Sequence, residues 1–145
     1  MRVAIIPEQT LDTIQEFIQN PPKNISDYSI VYEPLAKQHS VFFDEPFFTN
    51  MLDIIKKGAC LQEYVVLCQD LKNDWLRPFL KELNQESKKQ SSQLELFAEQ
   101  PQTKHTQLSS LSREIIENLQ ITVTYHIQIL EKLITIYQHG ANTRY

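Results

Sequence analysis

The stretch from Leu111 to Tyr137 constrains this chain more than any other. Ile116, Val123, Leu130 and Tyr137 recur every seven residues, and Ile127 and Ile134 follow Val123 and Leu130 by four. Leu119, His126 and Leu133 widen the stripe. This is the period of an α-helix with one broad apolar face. A coiled-coil seam would be narrower, with two apolar positions per heptad. The β-branched run Ile121-Thr122-Val123-Thr124 lowers helix propensity locally, but periodicity over this length outweighs it. A face so wide needs other helices to cover it. The chain therefore reads as all-α, a bundle of about five to six helices completed by a long C-terminal helix over 110–139. The stripe is wide enough to pack on its own bundle, on a second copy to give a homo-oligomer, or on both.

The upstream sequence supplies candidates for the other helices. Met1 to Ile6 is short and apolar and reads either as one N-terminal strand or as the lead-in to a helix. Thr10 is a fair N-cap for a helix carrying Leu11, Ile14, Phe17 and Ile18, which Asn20-Pro21-Pro22 then stops. Residues 25–43 are ambiguous. Ser29-Ile30-Val31-Tyr32 has strand propensity, yet Pro34 reads as the first position of a helix with Leu35, His39 and Phe42 on one face. Asp44-Glu45-Pro46 is a helix start, followed by Phe47, Phe48, Met51, Leu52 and Ile55 at helical spacing, with Gly58 as the stop. Leu61, Tyr64, Val65, Cys68 and Leu71 form the next face. Trp75, Leu76, Phe79, Leu80 and Leu83 form another, and Pro78 suggests a break near Asn73 between the two. Residues 1–83 thus read as a helical body.

From Asn84 to Ser109 the texture changes. The run is rich in Gln, Ser, Lys and Glu, and burial in such a segment cannot offset its ordering entropy, so a flexible linker over 84–109 is expected. Residues 140–145 read as a tail after Gly140.

Several function classes lack the residues they need. Only 2 glycines occur in 145 residues, which argues against phosphate-binding loops. The formal net charge is −4, unsuited to wrapping a polyanion, so direct nucleic-acid binding is not expected. No apolar run approaches ~18 residues and no signal-peptide pattern opens the chain, so no membrane association and a cytoplasmic location are expected. Cys60 and Cys68 lie about two helical turns apart, too far for a disulfide within one helix. None of His39, His105, His126 and His139 lies in a metal-ligand spacing. His126, on the apolar stripe, reads as a satisfied core or interface histidine. A nucleophile pair of Cys60 with a distant histidine has no local support. The residues therefore imply no enzyme, no cofactor and no metal.

One short stretch is more specific. Gln93-Leu94-Glu95-Leu96-Phe97 places three large apolar residues inside the polar linker. These five residues resemble the peptide by which proteins bind the bacterial sliding clamp, the ring that tethers polymerases to DNA. That motif runs glutamine, leucine, a small or acidic residue, leucine, phenylalanine. The resemblance covers five residues and no other part of the chain. It implies a partner-binding site in which Gln93 hydrogen-bonds at a pocket edge while Leu94, Leu96 and Phe97 bury apolar surface. It also implies a non-catalytic accessory or regulatory protein of bacterial DNA replication or repair. Burying the three side chains would release ~1.5–3 kcal/mol each. Ordering the peptide consumes much of this, leaving an affinity on the order of micromolar. The eukaryotic clamp motif fits worse, because Glu99 and Gln100 stand where its paired aromatics would fall. Leu94, Phe97 and Ala98 could instead form one amphipathic turn folded onto the bundle. The competing functional class is a helical protein–protein interaction module, such as a secretion chaperone, immunity protein or antitoxin.

Overall fold

A computed structural model describes residues 3–43, 47–91, 108 and 110–142. Within them the chain is an all-α bundle with no strand. The helices are α1 (Glu8–Gln19), α2 (Ser29–His39), α3 (Phe47–Lys57), α4 (Glu63–Asp70), α5 (Arg77–Ser91) and α6 (Arg113–Asn142). Short 3-10 turns flank α2 at Ile25–Tyr28 and Ser40–Phe42. The long α6 is the axis of the bundle and packs against α1, α2, α4 and α5. Its stripe is buried as the periodicity requires. Ile116, Leu119, Val123, Leu130, Leu133 and Tyr137 have no exposed surface, and Ile127 and Ile134 are nearly covered. The chain's own helices therefore bury this face. Among the described residues, no helix is long and apolar enough to cross a membrane.

Residues 3–7 form no strand. They pair with a side chain rather than with another backbone. The Asn118 amide accepts from the Ile6 N–H and donates to the Ile6 carbonyl, both at 3.0 Å. One side-chain amide thus supplies the donor and acceptor that a neighbouring strand would offer. α1 begins at Glu8 with Pro7 in the N-cap position, ahead of the Thr10 expected there. It ends before Asn20-Pro21-Pro22.

The ambiguous region is helical, but Pro34 lies inside α2 and not at its start. Proline removes the hydrogen bond to the carbonyl four residues back, here that of Ile30. Ile30 is 63% exposed, so water can serve that carbonyl. Tyr32, Leu35, Ala36 and His39 are fully buried on the opposite side, and this burial overrides the strand propensity of Ser29–Tyr32. The Asp44-Glu45-Pro46 start signal lies outside the described residues. α3 itself begins at Phe47 and ends at Gly58, whose φ of 70° is the left-handed stop that glycine permits.

The break expected near Asn73 is a widened turn. Leu71–Leu76 is a π-helix that joins α4 to α5, so one helical rod runs from Glu63 to Ser91. Leu71 and Leu76 are five residues apart, yet both are buried. A regular α-turn would carry the second of them to a different face, and the wider turn returns it. Pro78 sits just beyond, where the hydrogen-bond pattern is already shifting and its missing N–H is tolerated.

Composition places residues 84–91 in the linker, but α5 continues through Ser91. Polar side chains hold that end. Gln120 Nε2 donates to Asn84 Oδ1 at 2.9 Å, and Gln90 Nε2 donates to the Leu111 carbonyl at 3.1 Å. At the other terminus α6 passes Gly140 and reaches Asn142, so residues 140–142 are helical and not tail.

Candidate functional site: a directed hydrogen-bond chain in the core

The expected partner-binding residues Gln93, Leu94, Leu96 and Phe97 lie outside the described residues, as does His105. Among the described residues, no group of three or more potential metal ligands gathers anywhere. Cys60 and Cys68 are free thiols. The polar feature that stands out in the described structure is a row of buried groups between α2 and α6.

The row begins at the N-terminal segment. Gln38 Nε2 donates to the Ala4 carbonyl at 3.0 Å and to Asn118 Oδ1 at 2.9 Å. Thr122 Oγ1 lies 2.6 Å from Gln38 Oε1 and 3.0 Å from His39 Nε2. His39 Nδ1 lies 2.8 Å from His126 Nδ1. Gln38, His39, Asn118, Thr122 and His126 are all buried. Helical spacing explains how they meet. Asn118, Thr122 and His126 are successive i, i+4 positions of α6, so they line one face. Gln38 and His39 close α2 opposite them.

Donor and acceptor chemistry gives this row a direction. The Ala4 carbonyl can only accept and the Ile6 N–H can only donate, which orients both amides. Gln38 therefore turns its oxygen to Thr122, and the single hydroxyl proton of Thr122 goes to that oxygen. Thr122 must then accept from His39 Nε2–H. A neutral His39 with its proton on Nε2 has a bare Nδ1, so His126 Nδ1–H donates to it. A neutral His126 with its proton on Nδ1 has a bare Nε2. That nitrogen is fully buried and has no hydrogen-bond partner. The two imidazoles lie end to end, with centroids 5.0 Å apart and planes 16° apart.

Burial keeps both rings neutral. It pushes His39 from the ordinary histidine value down to about 3. It also holds His126 well below that ordinary value, with the neighbouring His39 adding to the shift. Tyr32 meets His126 edge-on at 4.7 Å and Phe48 packs on it at 5.0 Å. The hydroxyls of Tyr28, Tyr32 and Tyr137 are buried without partners. Burial raises Tyr32 well above the ordinary phenol value, and Cys68 and Tyr137 add to this. An orphaned buried polar group costs ~1–3 kcal/mol. Beside His126, the Tyr32 hydroxyl and the ring's own Nε2 are thus both left without a partner.

The reading of His126 as a satisfied core histidine is half right, since Nδ1 is bonded and Nε2 is not. Sequence reasoning missed the partnership with His39. The available signal was that both histidines fall on apolar helical faces, but nothing in the spacing of residues 39 and 126 pairs them. On the surface, a mostly apolar groove of about 260 Å³ lies over this row, lined by Ile5, Pro7, Pro34, Lys37 and Val41, with Gln38 in its floor. In comparisons with protein-family models, curated proteins and solved structures, nothing matches this chain.

Proposed function

We propose that this chain is a non-catalytic accessory or regulatory protein of bacterial DNA replication or repair, docking on the sliding clamp through Gln93-Leu94-Glu95-Leu96-Phe97. The observation that carries this reading is the fit of all five positions to the clamp-binding peptide. The fold supplies a compatible setting. The peptide lies in the connection between α5 and α6, whose two ends are tied together by the Gln90–Leu111 hydrogen bond and by buried Leu108. The connection thus starts and finishes at one end of the bundle. A clamp pocket holds one peptide at a time, so docking would displace other clients, and the bundle would add bulk or a second partner beside the ring. The test is retention on immobilised bacterial clamp. Wild type is retained, and the double change Leu96→Ala with Phe97→Ala loses retention while circular dichroism shows an intact bundle. Equal retention of the two proteins would discard the reading.

A second reading, a helical interaction module, draws on exposed apolar side chains of the bundle itself. Ile30 is 63% exposed and Val66 58%. That module would hold its partner unchanged after Gln93→Ala and lose it after Ile30→Asp or Val66→Asp.

A further inference from the structure

We propose that a second copy of this chain docks antiparallel along the outer face of α2, with Ile30 of each copy seated in a groove on the other.

Three observations carry this. The first is a seam. The long α6 turns its apolar face into its own bundle, but α2 keeps an outward one. Ile30, Pro34, Lys37 and Val41 follow a four-three-four spacing, the narrow seam along which one helix pairs with another. It lies opposite the side that Tyr32, Leu35 and Ala36 bury in the core. Ile30 is 63% exposed, more than any other large apolar side chain among the described residues. Val66 is exposed too, but Gln62, Glu63, Gln69 and Asp70 surround it at helical spacing, and such a lone side chain needs no partner.

The second is shape. Pro34, Lys37 and Val41 line the groove of about 260 Å³ together with Ile5 and Pro7. Ile30 does not line it, and stands roughly 16 Å along α2 from Val41. Ile30 therefore cannot fill the groove of its own chain. A face that carries a projecting side chain at one end and a recess at the other is complementary to itself about a two-fold axis. Antiparallel alignment centred between Leu35 and Ala36 sets Ile30 of each copy against Val41 of the other, in that recess.

The third is charge. Glu33 and Lys37 pair at 3.0 Å within one copy. The same alignment gathers both pairs on one flank, where each carboxylate meets an ammonium of the other copy. The chain as a whole carries −4 and repels its own kind, but this face adds one acid and one base and so no net charge. Exposed ion pairs add little affinity, so they fix the register while Ile30 supplies the apolar contact. One short helix and one groove per copy make an interface smaller than the ~800 Å² per partner of a standard one. The dimer is therefore weak, dissociating on the order of 100 µM.

A dimer carries two copies of residues 93–97, and linked copies hold an array of pockets far more tightly than one does. That consequence rests on the clamp reading; the α2 interface does not, and it is measured without clamp. Sedimentation velocity should show monomer at about 5 µM and mostly dimer at about 500 µM. Ile30→Asp and Lys37→Glu should each stay monomeric at the higher concentration, with circular dichroism unchanged because both side chains are exposed. Glu33→Lys combined with Lys37→Glu should dimerise again. In a Cys60→Ser background, mild oxidation should cross-link Ile30→Cys to Val41→Cys in a mixture of the two variants, and should not cross-link Ile30→Cys to itself. A wild type that stays monomeric at about 500 µM overturns the proposal. So does a dimer that survives Ile30→Asp, a charge swap that fails to restore assembly, or an Ile30→Cys protein that cross-links to itself.

Discussion

Thr122→Val is the sharpest test of the hydrogen-bond direction in the core. Valine has nearly the shape of threonine and a similar helix propensity, so the change opens no cavity and leaves α6 intact. It removes only the hydroxyl, which here joins His39 Nε2–H to Gln38 Oε1. Both groups are buried and both lose their partner. At ~1–3 kcal/mol for each orphaned group, the expected loss is about 2–5 kcal/mol, allowing for some rotation of Gln38. Thr122→Ser keeps the hydroxyl and loses one methyl, for about 1 kcal/mol. The assay is urea unfolding followed by circular dichroism at pH 7.5. With a slope of about 2 kcal/mol/M for a chain of this size, the valine midpoint should fall by about 1–2.5 M and the serine midpoint by about 0.5 M. A valine variant within about 0.2 M of wild type, or one more stable than serine, would refute the reasoning. Thr122 would then be an ordinary buried residue with no part in a directed chain.

Two further outcomes follow from the burial of titratable groups. His39 is held at about 3 when folded against an ordinary 6.5, so between those values the unfolded chain binds more protons. Its contribution to stability is complete above pH 6.5 and is lost progressively as pH falls towards 3, amounting to about 2 kcal/mol at pH 5. His126 acts in the same direction, so urea midpoints should drop between pH 7.5 and 5.0, and by clearly less in His39→Gln; equal drops would count against the burial argument. Cys68 is fully buried and its thiol is pushed up to about 12, whereas Cys60 is only partly buried. A thiol reagent should therefore label Cys60 in the native protein and reach Cys68 only through the unfolding transition, and comparable native rates would contradict the packing around Cys68.

Local residue patterns carried much of this architecture. The seven-residue recurrence from Ile116 to Tyr137 demanded a long helix with a buried face, and α6 has one. Proline pairs and Gly58 marked helix ends because their backbone chemistry acts within a few residues. The failures share a cause. Pro34 reads as a helix start because proline is usually excluded from helix interiors, yet burial of Tyr32, Leu35 and His39 on the opposite side holds the helix through it. Pro78 suggested a break, but Leu71 and Leu76 both need the core, and a π turn satisfies them. Residues 84–91 read as linker because the segment is poor in apolar residues, yet Asn84 bonds to Gln120 on α6 and Gln90 to the Leu111 carbonyl just ahead of it, partners far along the chain.

The amino-acid sequence alone determined that this chain is helical, which faces are apolar and where a five-residue peptide resembling a clamp ligand stands. Helical period and short motifs are properties of neighbours along the chain, so they can be read there. Only the tertiary structure decided that His39 meets His126, that Asn118 stands in for a strand, and that protons along the row must all run one way. Those facts depend on contacts between residues 34 to 112 positions apart. A hydrogen bond takes its direction from both partners at once, and no local pattern contains the second partner.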